Sequence, residues 1–453
     1  MDDDDDPMFN DLIYDDAATD EIAGAAQPTS SPSVFTSAGA GTLFILLLVY
    51  ISNYADRQIL NVLAVQIMED LKIGKTEFGF LSGLAFAVFY ATLGIPIAML
   101  ADRVSRKWIL VVSLSIWSVM TTFCGFAAGF WQLAVARIGV GVGEAGGSPP
   151  SHSMISDLYP SAQRGTALAI YALGVPLGVL VGNLVGGQIG GEWGWRAAFY
   201  VLGVPGLLLA IFVALRFREP PRGHADGGIA QKEAAPSLGA VARFMWTQKS
   251  LVHTIIGATL ITAVGYGGLT WTAAFLQYSH GITLASVANY LALQTGIVAG
   301  LGTFLGGYLA DRLAKRNIGW RAWVVTAAMI VAAPFNLAVY LLNDTEAVLW
   351  IYTIPILVGG IYLAPTFALV QNLVGIRMRA TAAALLLFII NLIGLGAGPL
   401  VVGAMADLLD PTFGKDSVRY ALLIFSTLAL WGAWHYWIAP RTLKEDLARA
   451  ATA

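Results

Sequence analysis

Four ionisable residues stand inside stretches that are otherwise apolar, and all lie in the first third of the chain. Asp56 and Arg57 fall within residues 42–66, Arg137 and Glu144 within residues 131–156. An ionisable group near the centre of a membrane helix costs at least ~2.5–3.5 kcal/mol, so such groups face the bundle interior and mark function. Adjacent helical residues point about 100° apart, so Asp56 and Arg57 cannot both aim at one partner. Arg137 and Glu144 are seven residues apart, two turns, and share a stripe. The chemistry this pattern supports is a proton switch. A membrane carboxylate keeps its charge beside a guanidinium and takes up a proton when that partner moves away. The competing reading is a static ion-pair network that fixes helix packing.

The elements that position these residues must be membrane helices. Of 453 residues, 57% are hydrophobic and 12% charged, whereas an ordinary soluble protein carries about 25% charged residues. A soluble domain of this size could not cover its surface with so few charges. A spanning helix needs about 20 mostly apolar residues. That ruler predicts an all-α polytopic membrane protein with spans near 42–66, 77–101, 107–128, 131–156, 165–190 and 197–217, then 251–279, 284–310, 320–342, 347–373, 380–406 and 418–439. The expected organisation is an acidic disordered tail over 1–40, a six-helix half over 41–217 and a linker over 218–249. A second six-helix half over 250–440 and a tail over 441–453 complete it.

Charge sets the orientation. Residues 2–21 hold ten acidic groups and no basic one, so the net charge of −3 becomes +7 without them. An even number of spans leaves both termini on one side, and the loops and tail of that side hold 19 of the 26 Lys and Arg. Excess Lys and Arg marks the cytoplasmic side. Both termini are therefore expected in the cytoplasm, with the chain integral to the plasma (cell inner) membrane.

The halves echo each other. Leu100-Ala-Asp-Arg103 followed by Arg106-Lys107 recurs as Leu309-Ala-Asp-Arg312 followed by Lys315-Arg316, 209 residues on. Arg164-Gly-Thr-Ala167 is echoed by Arg379-Ala-Thr-Ala382, offset by 215. Two similar halves are the sequence mark of a transporter that rocks about a site between them. These loops resemble the major facilitator superfamily. Its loop motif is full at Gly307–Arg312 and degenerate in the first half, where Ala98 replaces the first glycine. Gly141-Val-Gly-Glu-Ala-Gly146, Ser153-Met-Ile-Ser-Asp157 and Gly174-Val-Pro-Leu-Gly178 look most like the spinster branch, whose members move sphingolipids, lysolipids or related amphiphiles. Asn53-Tyr-Ala-Asp-Arg57 also resembles the anion–cation symporters.

The resemblance implies Asp56 and Glu144 as protonation sites with Arg57 and Arg137 as partners. It also implies gating contacts of Asp102 and Asp311 with the helix starts near Arg377–Arg379 and Arg164, and a within-half pairing of Arg106 with Asp157. An Asp-Arg at a helix end could instead only cap it. The second half has no charge in the middle of a span and offers Tyr266, Trp271, Phe275, Gln294, Tyr362, Thr366 and Asn391. These suit a cavity wall for an amphiphile, although core packing explains any one aromatic equally well. Gly174, Gly178, Gly182, Gly186 and Gly190 repeat every fourth position, a spacing that lets helices approach closely.

Other signals carry little. Gly141–Gly146 fits a dinucleotide pattern but lies in an apolar helix with no preceding strand. His152 and Asp157 have acyltransferase spacing without the remaining motifs, and His224, His253, His280 and His435 are scattered, suggesting no metal site. Cys124 is a small core residue. The expectation is a transporter rather than an enzyme: proton-coupled export of a sphingolipid- or lysophospholipid-like amphiphile by alternating access. The alternative is proton-coupled symport of a small organic anion. Protons are the coupling ion, with no other cofactor. The expected partners are the substrate and membrane lipids, with no nucleic acid, and a monomer suffices.

Overall fold

The computed structural model describes residues 37–223 and 236–451. The acidic run at 2–21 and the middle of the expected linker lie outside the described residues. Every regular element among those described is helical.

Helices long and apolar enough to cross a membrane are Gly39–Val62 (span 1), Lys75–Ala101 (span 2), Arg106–Cys124 (span 3), Gln163–Trp193 (span 5) and Trp195–Arg216 (span 6). They continue with Lys249–His280 (span 7), Leu284–Ala314 (span 8), Trp320–Leu341 (span 9), Thr345–Asn372 (span 10) and the long stretch Ile376–Arg441. That last stretch folds as two spans. Gly414, at φ 53°, turns the chain between the helices Gly396–Phe413 and Ser417–Ser426, which pack together as the ends of spans 11 and 12.

The remaining span, the fourth, carries the charges. It is not one helix over 131–156 but two, Phe130–Glu144 and Ser148–Leu158. Pro149 and Pro150 start the second piece at positions where their missing N–H groups cost nothing. Twelve crossings result, in the all-helical arrangement that the sequence predicts.

Side-chain packing is unequal on the two sides of the bundle. Away from the termini one continuous apolar core joins early and late spans, from Ile59, Phe78 and Phe199 to Trp271, Phe275, Val402 and Phe425. Toward the termini the core divides. Leu46, Leu114, Met154 and Val213 belong to one cluster, joined from the later spans by Leu395 and, at its margin, Tyr266. Ile255, Val325, Leu373 and Tyr436 belong to another. The molecule is sealed on the face opposite the termini and parted toward the terminal face.

The glycine ladder of span 5 packs on span 1. A Cβ at Gly178 would stand 2.6 Å from Ile51 O, and one at Gly182 would stand 2.7 Å from Ala55 O. Backbones this close exclude any larger residue and hold Asp56 and Arg57 against the bundle interior.

Candidate functional site

The four charged residues converge. Arg57 donates its Nε–H to Glu144 Oε2 at 2.5 Å, joining span 1 to the end of the first helix of span 4. Asp56 points elsewhere and accepts from Thr121 Oγ1 of span 3 at 3.1 Å. Arg137 shares the stripe of Glu144, yet it donates to Leu81 O at 3.4 Å. It makes no ion pair among the described residues. Asp56, Arg137 and Glu144 are each at most 2% exposed and Arg57 is part-buried, so two carboxylates and two guanidiniums share an enclosed site with balanced formal charge. Asp56 Oδ1 and Glu144 Oε1 are buried without a hydrogen-bond partner, and a buried oxygen of this kind gains by carrying a proton or by meeting a new donor.

Arg57 also sits in an aromatic cage. Its guanidinium carbon lies 4.8, 4.7 and 4.3 Å from the ring centres of Tyr54, Phe86 and Tyr90, a geometry that holds a cation even without a counter-ion. Tyr50 stacks on Tyr171 at 4.3 Å and meets Tyr54 edge-on at 5.2 Å. Sequence reasoning passed over these tyrosines, although Tyr50, Tyr54 and Arg57 follow the four-then-three spacing of one helix face.

The later spans supply the opposite wall. Tyr266 packs at the margin of the apolar cluster that holds Phe86 of the Arg57 cage. Tyr362 shares a hydrogen bond with Thr262 at 2.9 Å. Thr366 is buried between Tyr362 O and the Tyr436 hydroxyl. Gln294 opens a π-helical turn, Gln294–Val298, and donates to Thr353 Oγ1 at 2.8 Å. Asn391 lies on a second such turn, Ile390–Leu395, and turns of this kind often mark functional sites. Trp271 and Phe275 are instead packed within the sealed core, Trp271 through a 2.9 Å bond to Pro399 O and Phe275 against Tyr340.

Among the described residues the terminal-face ion pairs of Arg106 and of Asp311 each lie within one half. Arg106 pairs with Asp157, donates to Ser153 Oγ at 2.9 Å and to Pro220 O at 2.8 Å, and meets Glu219 at 3.0 Å. Asp311 lies 3.5 Å from Arg321. Arg164 donates to Ser156 O at 2.8 Å. Asp102 is exposed, with no cation within 4 Å of its carboxylate among the described residues, and Arg377 and Arg379 are exposed on the later half.

The short run Glu219-Pro-Pro-Arg222, at the start of the expected linker, clasps the loop between spans 2 and 3. Glu219 accepts from Ser105 Oγ at 2.6 Å and from the Arg106 and Lys107 N–H groups, which opens span 3. Arg222 donates to the carbonyls of Ala101, Asp102 and Val104, which closes span 2. Burial opposes ionisation of Glu219, but the bonds from Ser105 and Arg106 and the two backbone N–H groups prevail and hold its carboxyl down at about 2.

Two histidines read as scattered are in fact neighbours. His253 of span 7 and His435 of span 12 meet Nδ1 to Nδ1 at 2.8 Å. Their separation of 182 residues hid the contact. His152 is exposed and stands edge-on to Tyr171, and no cluster of three metal-ligating side chains occurs among the described residues.

A helical bundle with a buried charge set between two walls is a transporter's architecture, and the family model "Major Facilitator Superfamily" matches residues 46–399. The chain belongs to the Major Facilitator Superfamily. A "MFS-type efflux pump" of Mycolicibacterium smegmatis is 33% identical over 90% of this chain and 94% of its own. "Protein spinster homolog 3" of Danio rerio is 26% identical over 92% and 89%. A hexuronate transporter of Bacillus subtilis is 24% identical over 86% and 93%. Among solved structures, a bacterial homolog to the human lysosomal transporter Spinster, inward-facing and occupied, superposes with a TM-score of 0.81 at 31% identity, covering 91% of this chain and 98% of that one. This superfamily member is a polytopic membrane transporter of the spinster-like kind, not an enzyme.

Proposed function

We propose that this transporter exports a lipid-like amphiphile of the sphingolipid or lysophospholipid class in exchange for protons, by alternating access. The observation that carries the reading is the confinement of the charges buried in the middle of a span to spans 1 and 4, facing a half-buried tyrosine wall without charge. Arg106 and Arg419 are buried only at span ends. A headgroup suits the first and an acyl chain the second. The spinster relatives add to this.

With the basic face assigned to the cytoplasm, the parted terminal face makes this conformation inward-facing. Exchange requires proton and headgroup to compete. A sphingoid amine, or the cationic end of a lysophospholipid, would compete with protons at Glu144 and Asp56, and so would move against them. Glu144, when ionised, holds Arg57. When protonated it leaves Arg57 to the rings of Tyr54, Phe86 and Tyr90. The transporter works as a monomer in the inner membrane.

The hexuronate transporter and the presence of Arg137 without a carboxylate partner favour a second reading, symport of a small organic anion. An anion would take Arg57 only once Glu144 is protonated, so anion and proton would move together. The sign of coupling therefore separates the two. In proteoliposomes, a proton gradient should drive a lysolipid or sphingoid base in the direction opposite to proton flow. Saturable binding of hydrophilic anions, lost on Arg137→Ala and indifferent to Tyr266→Leu, would favour symport instead.

A further inference from the structure

The sealed face is closed by two contacts between the halves, spans 5 with 8 and spans 2 with 11, and the second pair touches backbone to backbone. A Cβ on Gly79 would stand 2.5 Å from Pro399 O, one on Gly83 2.3 Å from Gly396 O, and one on Gly403 2.3 Å from Lys75 O. This seam carries little chemistry of its own until its outer end. There span 2 begins, and its first N–H groups need acceptors that no helical turn supplies.

The local capping position is Gly74, which has no side chain to offer, and Glu77 reaches back only to the Gly74 N–H at 2.8 Å. The missing acceptor comes from the other half of the chain. Asp407, 331 residues beyond Thr76, accepts from the Thr76 N–H at 2.7 Å and from Thr76 Oγ1 at 2.6 Å. It also accepts from the Lys75 N–H at 3.2 Å. Beside it Lys75 Nζ meets Asp410 at 2.6 Å, with Asp407 at 3.9 Å. A carboxylate at a helix start gains both the N–H groups and the positive end of the helix dipole. Here that gain exists only while the two halves touch.

We propose that Asp407 is the latch of the sealed face: an N-cap supplied across the halves that sets how often that face opens. It is a positioning residue for transport, since it contacts neither the buried charges nor the tyrosine wall. Opening removes its three hydrogen bonds together and returns the first turn of span 2 to water. Asp410 is secondary, because its pair with Lys75 is half exposed and pairs of that kind contribute little. The inference rests on alternating access, but its measurement needs neither substrate nor proton gradient.

The test uses the full chain in nanodiscs with Cys124→Ala and spin labels at Glu192 and Glu346, both exposed on the sealed face and one in each half. Asp407→Ala should raise the open-to-closed ratio about 5- to 30-fold, the factor expected for losing a cap. Asp410→Ala should leave the distance distribution near that of the parent. A folded Asp407→Ala protein with the parent's distribution would overturn the proposal. Should Asp407→Ala fail to fold, Thr76→Pro suits the first helical turn and removes two of the three donors to Asp407, the Thr76 N–H and Oγ1. The same labels should then show a larger open fraction than the parent. The parent's distribution in a folded Thr76→Pro protein would overturn the proposal equally.

Discussion

Glu144 takes the Nε–H of Arg57 at 2.5 Å across spans 4 and 1, although Arg137 lies two turns before it on the same helix face. The pair ties the two spans by a buried charge contact, and its strength depends on both members remaining in place. Removing one partner of a buried pair leaves an uncompensated charge and costs about 3–5 kcal/mol. Glu144→Ala should therefore lower the melting temperature markedly. Glu144→Gln keeps shape and an acceptor oxygen and should fold. A thermal melt of both in detergent checks the order.

Span 5 tests how close packing holds the site. Gly178→Ala would press a methyl group against Ile51 O at 2.6 Å and Tyr54 Cβ at 2.5 Å. Overpacking of this kind costs about 1–3 kcal/mol. Gly191, in the same helix, has no atom beyond its own helix within 4 Å of where a Cβ would stand, so Gly191→Ala should be neutral or slightly stabilising through helix propensity. Melting temperatures of the two variants should diverge.

Glu219 makes the terminal-face clasp sensitive to acid. Its carboxyl is held at about 2, against 4.5 for a free glutamate. A depressed value means the contribution is complete above about 4.5 and is lost as pH falls through about 2. The stability advantage of the parent over Glu219→Gln should hold steady from neutral pH to about 5. It should then shrink with further acid, as melts across that range will show. A gap that widened with acid would contradict the assignment.

How much of this was legible in sequence depended on the range of the interaction. Apolar runs of about 20 residues gave the crossings because each is a local property. Span 4 was legible as a crossing but not as two helices: Pro149 and Pro150 open a second helix there, past the charges at Arg137 and Glu144. Which of Arg57 and Arg137 pairs with Glu144 was not readable, since stripe geometry places residues on a face without choosing their partners. Glu219 and Arg222 escaped because capping across a loop leaves no periodic trace. Tyr50 and Tyr54 did leave one, in their spacing to Arg57. Asp407 and the histidine pair left none, being joined only by the fold.

The central claim is that Asp56 and Glu144 couple the transporter to protons. Its most direct test is flux of a lysolipid or sphingoid substrate in proteoliposomes under an imposed proton gradient, with Asp56→Asn and Glu144→Gln beside the parent. The account predicts gradient-driven flux in the parent and its loss in both variants, with folding retained. Flux that ignores the gradient and is unchanged in both variants would contradict it.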